Sequence, residues 1–246
     1  KTDVISIQGE FKTYEQEFDE IGKIKVDGNN FLDIIKATIL EMNPGYGFDL
    51  YTRSDVPPHS GLGASASLCV SLIGALNYFR KKNRLSKYEI AETAYKVEQK
   101  RMNIKGGRQD QYASVFGGIN LYEFCGENHV KVNPINLRKD TILEIEKHLL
   151  VVSSGRRVKS SGTIHESEKN TNEDKVKIKR LHDIKDIAIE MEFNLRRGNI
   201  NKFSQLIQES WKKKKEYNPD YTNGYIDYLV EIALTSGAKS ARVMGA

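Results

Sequence analysis

Cysteine is scarce in this chain. Only Cys69 and Cys125 occur among 246 residues. They lie far apart and lack metal-type spacing, so the sequence offers neither a disulfide scaffold nor a cysteine zinc site. Such usage fits a reducing cytoplasm. Long apolar runs are missing too. The longest, Leu68 to Ala75, is broken by Ser71 and Gly74 and falls well short of the roughly 20 residues a membrane helix requires. No internal repeat or low-complexity tract is visible, and no strong excess of one charge. Charged residues make up 29% and hydrophobic residues 39%, a balance that argues against disorder.

What is present is a mildly basic chain of net charge +5, long enough for one large domain or two modest ones. Anionic small-molecule ligands suit that charge. The run Lys212-Lys213-Lys214-Lys215 raises nucleic acid as a partner, but no aromatic residues interleave with it. It therefore reads as a solvated helix end, and neither nucleic acid nor a membrane is expected as a partner. The chain opens on Lys1 with no leader and stops at Gly245-Ala246, where a glycine turn begins. Further sequence is expected at both ends.

Val4 to Gln8 and Phe48 to Arg53 alternate apolar and polar residues, the pattern of strands. Between them Phe31, Leu32, Ile34, Ile35, Thr38, Ile39 and Met42 recur at helical spacing and end at Asn43-Pro44-Gly45. A second helix is expected from Ser65 to about Lys81. A third opens at Ser86, with Glu89 completing a capping box. A hairpin is expected over Ile119 to Phe124 and Val130 to Val132, around Gly126-Glu127-Asn128. Beyond Asn133-Pro134 the texture changes to lysine-rich amphipathic helices over about 174–197, 200–215 and 223–236. Strand-like runs flank them at Leu149 to Ser153 and Ser240 to Met244. A domain boundary is expected near 138–146, dividing the chain into 1–140 and 141–246. Strands and helices without regular alternation indicate an α+β class.

The segment Asp55-Val56-Pro57-Pro58-His59-Ser60-Gly61-Leu62-Gly63-Ala64-Ser65-Ala66-Ser67 follows a strand and opens an apolar helix. Gly61 and Gly63 allow a tight turn and close approach of a ligand. The helix start offers free N–H groups at the positive end of a dipole, which suits phosphate. Ser60, Ser65 and Ser67 add hydroxyls able to reach phosphate oxygens or a magnesium ion. The segment lacks the Gly-Lys-Ser/Thr of a Walker loop and the dinucleotide pattern Gly-x-Gly-x-x-Gly. A tight turn packed with small residues would also account for it.

Two carboxylates stand out further on. Glu98 falls on the apolar stripe of Ala91, Ala94, Tyr95 and Met102, where an unpaired carboxylate is costly. It is either a metal or hydrogen-bond ligand or the partner of Lys100 or Arg101. Asp110 lies in Gly106-Gly107-Arg108-Gln109-Asp110-Gln111-Tyr112-Ala113, at an exposed helix start, where a simple capping role is also adequate.

The run Val56-Pro57 through Gly61-Leu62-Gly63-x-Ser65-Ala66-Ser67 resembles the phosphate-binding motif of the GHMP kinases. Ala64 stands where many members carry a first serine, and His59 where a smaller residue is commoner. Galactokinase-like members also carry Gly-x-x-Asp-Gln, with a glutamate about a dozen residues earlier. Here Glu98 and Asp110 are twelve apart. The string from Gly106 to Asn120, with Glu123-Phe124 and Val132-Asn133-Pro134, resembles the bacterial heptose-phosphate kinase branch in particular. Ser236 to Ala246 is similar to the run-in to a third, glycine-rich motif of the family.

The resemblance implies a two-domain α+β fold, with a left-handed β-α-β crossover in the first domain and a ferredoxin-like second one. It implies MgATP as cofactor, and assigns Pro58, Ser60, Gly61, Leu62, Gly63, Ala64, Ser65, Ala66 and Ser67 to the ATP phosphates. Ser65 and Glu98 would hold Mg²⁺, and Asp110 would face the acceptor hydroxyl. Gly107, Arg108, Gln111 and the basic run Arg156, Arg157 and Lys159 would bind the substrate, the last three matching a sugar phosphate. A basic surface loop remains the alternative for that run. The implied role is a cytoplasmic sugar kinase acting on a heptose phosphate for surface-polysaccharide precursors, and a homodimer is left open. A kinase for fucose, galactose or an isoprenoid alcohol, or a non-catalytic member of the fold, is the alternative.

Overall fold

The apolar run near residue 35 and the helix behind the glycine loop together organise the first half of the chain. The computed structural model describes residues 3–8, 13–27, 32–56, 60–104, 106–126, 129–155 and 175–244. These fall into two compact units, Lys1–Gly117 and Gly118–Ala246.

In the first unit β1 (Asp3–Gln8) pairs antiparallel with β2 (Thr13–Phe18) and parallel with β3 (Leu50–Thr52). The sheet order is β2-β1-β3. β3 is shorter than the alternation predicts, and pairs only with Ile5 to Ile7 of β1. Between β1 and β3 runs α1 (Asp33–Met42), ended by Asn43 in the left-handed region at φ 38°. Residues 32–39 are all buried, so this helix is covered on every side. Asp33 and Lys36 are enclosed with it and form an ion pair at 3.4 Å, which offsets the cost of desolvating both charges.

The helix α2 (Ala64–Tyr78) packs on α1 and ends three residues before the expected Lys81. Buried Asn77 takes up the chain there, donating to Leu85 O at 3.0 Å and accepting from Leu85 N at 2.7 Å. The expected capping box opens α3 (Lys87–Lys96), with Ser86 and Glu89 each satisfying the other's backbone N–H. The helix then widens into a π turn over Val97–Arg101, closed by Met102 N donating to Val97 O at 3.1 Å. A short helix, α4 (Gln109–Phe116), completes the unit against α2 and α3.

The second unit begins with the expected hairpin, β4 (Asn120–Cys125) and β5 (His129–Pro134). Next comes α5 (Lys139–His148), which occupies the region expected to hold the domain boundary. The compact units divide between Gly117 and Gly118. The hairpin belongs with the helices that come after it, since Arg196 donates to Pro134 O at 3.1 Å. Three long helices account for much of the rest: α6 (Lys175–Arg196), α7 (Ile200–Tyr217) and α8 (Gly224–Thr235). Gly198, at φ 70°, turns α6 into α7 where a Cβ would meet Thr141 Oγ1 at 3.2 Å. Asn199 and Asn223 cap α7 and α8.

Two strand expectations are corrected here. Leu149 to Ser153 and Ser240 to Met244 belong to no strand, because among the described residues neither forms a ladder. Three members of the lysine run are engaged within the unit. Lys213 pairs with Asp183 at 3.1 Å, Lys215 with Asp227 at 2.9 Å, and Lys214 lies 4.3 Å over the Tyr221 ring.

Glu41 at the end of α1 ties the first unit together, pairing with Lys96 and, at 2.8 Å, with Arg101. Burial pushes its carboxyl pKa up, but the hydrogen bonds and charges of Lys96 and Arg101 outweigh that and leave it below the usual 4.5. Glu41→Gln should therefore cost about 1–2 kcal/mol at pH 7. The stabilisation is present above the ordinary glutamate pKa and is lost as pH falls through the lower folded value. Urea unfolding of both proteins from pH 7 to pH 3 should show the difference shrinking.

Candidate active site

Gly61 and Gly63 carry positive φ, 77° and 69°, so the loop before α2 coils as a residue with a side chain would resist. Gly63 is also the N-cap of α2, with its O accepting from Ser67 N at 2.9 Å and no side chain capping it. The first-turn amides at Ala64, Ser65 and Ala66 thus sit at an uncapped helix start, the arrangement that seats an anion. Ser60, Leu62, Ser65 and Ser67 are exposed on this loop and turn, while Ala66 is buried beneath it.

Glu98 lies in the π turn and is 8% exposed. Its carboxylate is not paired with Arg101, which turns to Glu41. Instead it accepts from Ser65 Oγ at 3.0 Å and from Gln111 Nε2 by a short hydrogen bond. Burial raises its pKa; the two hydrogen bonds oppose this, and the negative charge of Asp110 adds to it. Gln111 is 2% exposed, and its Oε1 has no hydrogen-bond partner.

Asp110 stands in the first turn of α4, open to solvent on one side. On the other it lies against the loop: a Cβ added to Gly63 would sit 3.3 Å from Asp110 Cβ and Cγ and 3.4 Å from Oδ2. This partial desolvation raises its carboxyl pKa. The loop leading to α4 is held by Gln99 Nε2 donating to Gly106 O at 3.0 Å. Gly107 is exposed, and a Cβ there would meet nothing within 4 Å.

Gly63, Ser65, Glu98, Asp110 and Gln111 are therefore brought together. Gln111, expected to touch substrate, turns to Glu98, and Arg108, also expected to do so, is engaged by Glu92 and the Tyr95 ring. Pro58, Arg156, Arg157 and Lys159 lie outside the described residues. Sequence reasoning missed Glu92 and Tyr112, whose contacts join α3 to α4 across 20 residues and leave no local pattern.

The pair Ser65 and Glu98 suits a hard divalent cation. Among the described residues no group of three or more His, Cys, Asp or Glu could hold a metal. Magnesium, however, keeps several waters and takes one or two carboxylates beside substrate phosphates. A buried carboxylate held only by neutral donors, with the unpartnered oxygen of Gln111 nearby, fits that need.

Residues 29–118 match the family described as GHMP kinases N terminal domain. A crystal structure from Campylobacter jejuni, assigned as a sugar kinase, is 30% identical with TM-score 0.65, covering 96% of this chain and 68% of that one. The chain belongs to the GHMP kinases. A D-glycero-alpha-D-manno-heptose 7-phosphate kinase from the same species is 34% identical over 199 residues, 81% of this GHMP chain and 58% of the relative. The chain thus spans less than two thirds of that relative's length. A D-glycero-D-manno-heptose 1-phosphate kinase structure from Bacteroides thetaiotaomicron superposes with TM-score 0.74 at 25% identity, covering 100% of this chain and 73% of that one. Every residue gathered around Glu98 falls inside the family match.

Gly63→Ala should destabilise the protein by about 1–2 kcal/mol, since it forces an alanine into the left-handed region. Chemical denaturation measures this. Glu98→Gln should act oppositely in the ligand-free protein. The ionised carboxylate is disfavoured in the fold, so its cost is present above the raised folded pKa and vanishes below the ordinary 4.5. The variant should match or exceed wild-type stability at pH 7, with any gain fading as pH falls.

Proposed function

We propose that this chain carries the donor and acceptor chemistry of an ATP-dependent sugar kinase whose acceptor is a heptose phosphate, phosphorylated at its anomeric hydroxyl. The observation that carries the reading is the meeting of Ser65, Glu98 and Asp110 around Gly63. The likeness to heptose-phosphate kinases supports the acceptor.

The backbone amides of the loop and first turn of α2 would bind the ATP phosphates, with Ser60, Ser65 and Ser67 as hydroxyl donors. Ser65 Oγ and Glu98 would hold magnesium, which neutralises phosphate charge when bound. Asp110 would accept a hydrogen bond from the acceptor hydroxyl, orient its oxygen and take its proton as the phosphoryl group transfers. A raised pKa strengthens it as a base, and full proton removal before attack is not required. Arg156, Arg157 and Lys159 would bind the acceptor's phosphate through charge-assisted hydrogen bonds. Both cysteines are free, in keeping with a cytoplasmic enzyme.

A second reading is a neutral hexose acceptor. It is favoured by 26% identity over 231 residues to a galactokinase from Lacticaseibacillus casei.

ADP release from MgATP with heptose 7-phosphate, galactose and fucose distinguishes the two. The heptose phosphate should be preferred by about a hundredfold, the worth of two charge-assisted hydrogen bonds. Equal use of galactose would overturn the phosphate reading. Asp110→Asn should lose about a hundredfold or more in kcat with ATP affinity unchanged. Glu98→Gln should instead raise the Mg²⁺ concentration needed to bind ATP, read by calorimetry.

A further inference from the structure

Glu92 lies outside the cluster around Glu98, yet it grips both sides of Asp110. From α3 its carboxylate accepts from Arg108 Nε, 3.2 Å from Oε1 and 3.3 Å from Oε2. It also accepts from Tyr112 OH at 2.7 Å. The Arg108 guanidinium lies 4.4 Å over the Tyr95 ring, one turn along α3 from Glu92. Tyr112 is 2% exposed, and its ring stacks on Phe116 at 5.9 Å while Tyr88 meets both edge-on. A buried tyrosine hydroxyl requires a partner, and Glu92 supplies it.

The helical period explains what this grip does. Arg108, the N-cap of α4 with αR backbone, and Tyr112 are four apart and share one face at the start of the helix. Asp110, two residues from each, is rotated about 200° from both and points the opposite way. Holding Arg108 and Tyr112 against α3 therefore turns Asp110 toward Gly63, where its Cγ lies 3.3 Å from the position a Cβ would take. The aromatic stack resists sliding of the helix, and the carboxylate resists its rolling.

We propose that Glu92 is a positioning residue that fixes the roll of α4 and so the placement of Asp110, acting through Arg108 and Tyr112. This rests on the reading that Asp110 addresses the acceptor. It assigns Arg108 to the bracket, with its guanidinium spent on Glu92 and Tyr95. Glu92 itself contacts no substrate.

The test uses Glu92→Ala, Tyr112→Phe and the charge exchange Glu92→Arg with Arg108→Glu, each in the full-length protein. Amide hydrogen exchange at Tyr112 to Phe116 should quicken by about tenfold or more in the first two variants, with α2 protection unchanged. With MgATP and heptose 7-phosphate, kcat should fall by about tenfold to a hundredfold while KM for ATP stays within about twofold. The charge exchange should recover much of that loss. Unchanged exchange in α4, or an equal rise in α2 and α4, overturns the bracket, the latter marking general destabilisation. Asp110→Asn is the separate control and should lose turnover without altering exchange. If it keeps the wild-type rate, the reading of Asp110 falls, and the exchange result still decides the bracket.

Discussion

A carboxylate enclosed by apolar packing must find compensation, and the arrangement around Glu98 meets that demand. At 8% exposure it has lost most of its water, and Ser65 and Gln111 replace that water with two donors. Each donor ties a different element to the π turn: Ser65 the start of α2, Gln111 the start of α4. The buried charge thereby fixes where two helix N-termini meet. The hydrogen bonds do not neutralise it, and the charge of Asp110 nearby raises the cost further. The cost that remains is one that the cation proposed to bind there would lower.

The scaffold beneath is closely packed. Residues 32–39 are buried on all sides, and Thr38 reaches from α1 to Cys69 Sγ on α2 at 3.2 Å. That thiol sits one turn behind Ser65, and burial pushes its pKa to about 12, so it remains a neutral packing group. Glu41 closes the other end of α1 onto the π turn through Arg101. The turn carrying Glu98 is thus anchored from α1 on one side and from α2 and α4 on the other.

Much of this was legible in local sequence. The Ser86 and Glu89 box needs only a spacing of three, and Glu98 declared itself by sitting on an apolar stripe. The glycine loop announced its own geometry, because positive φ at Gly61 and Gly63 is cheap only for glycine. Contacts that join distant segments were hidden. Nothing near Glu92 foretells Arg108 and Tyr112, and the apolar spacing of α1 does not hint that Asp33 and Lys36 are buried with it. Leu149 to Ser153 read as a strand because its residues favour one, but a strand also requires a partner that composition does not supply. The division into compact units after Gly117 was hidden for a similar reason, since a change in composition after Pro134 says nothing about which unit the hairpin packs on.

The close approach of Asp110 to Gly63 sets the two proposed ligand sites side by side. With no side chain on Gly63, the Asp110 carboxylate occupies the space that a Cβ at that position would crowd. On the proposed function the donor's phosphates bind the loop and the acceptor binds Asp110, so the two ligands would meet at this one junction. A coupling between donor and acceptor affinity is the expected consequence of that reading. Thermodynamics makes such linkage reciprocal: whatever factor nucleotide contributes to acceptor binding, acceptor returns to nucleotide binding.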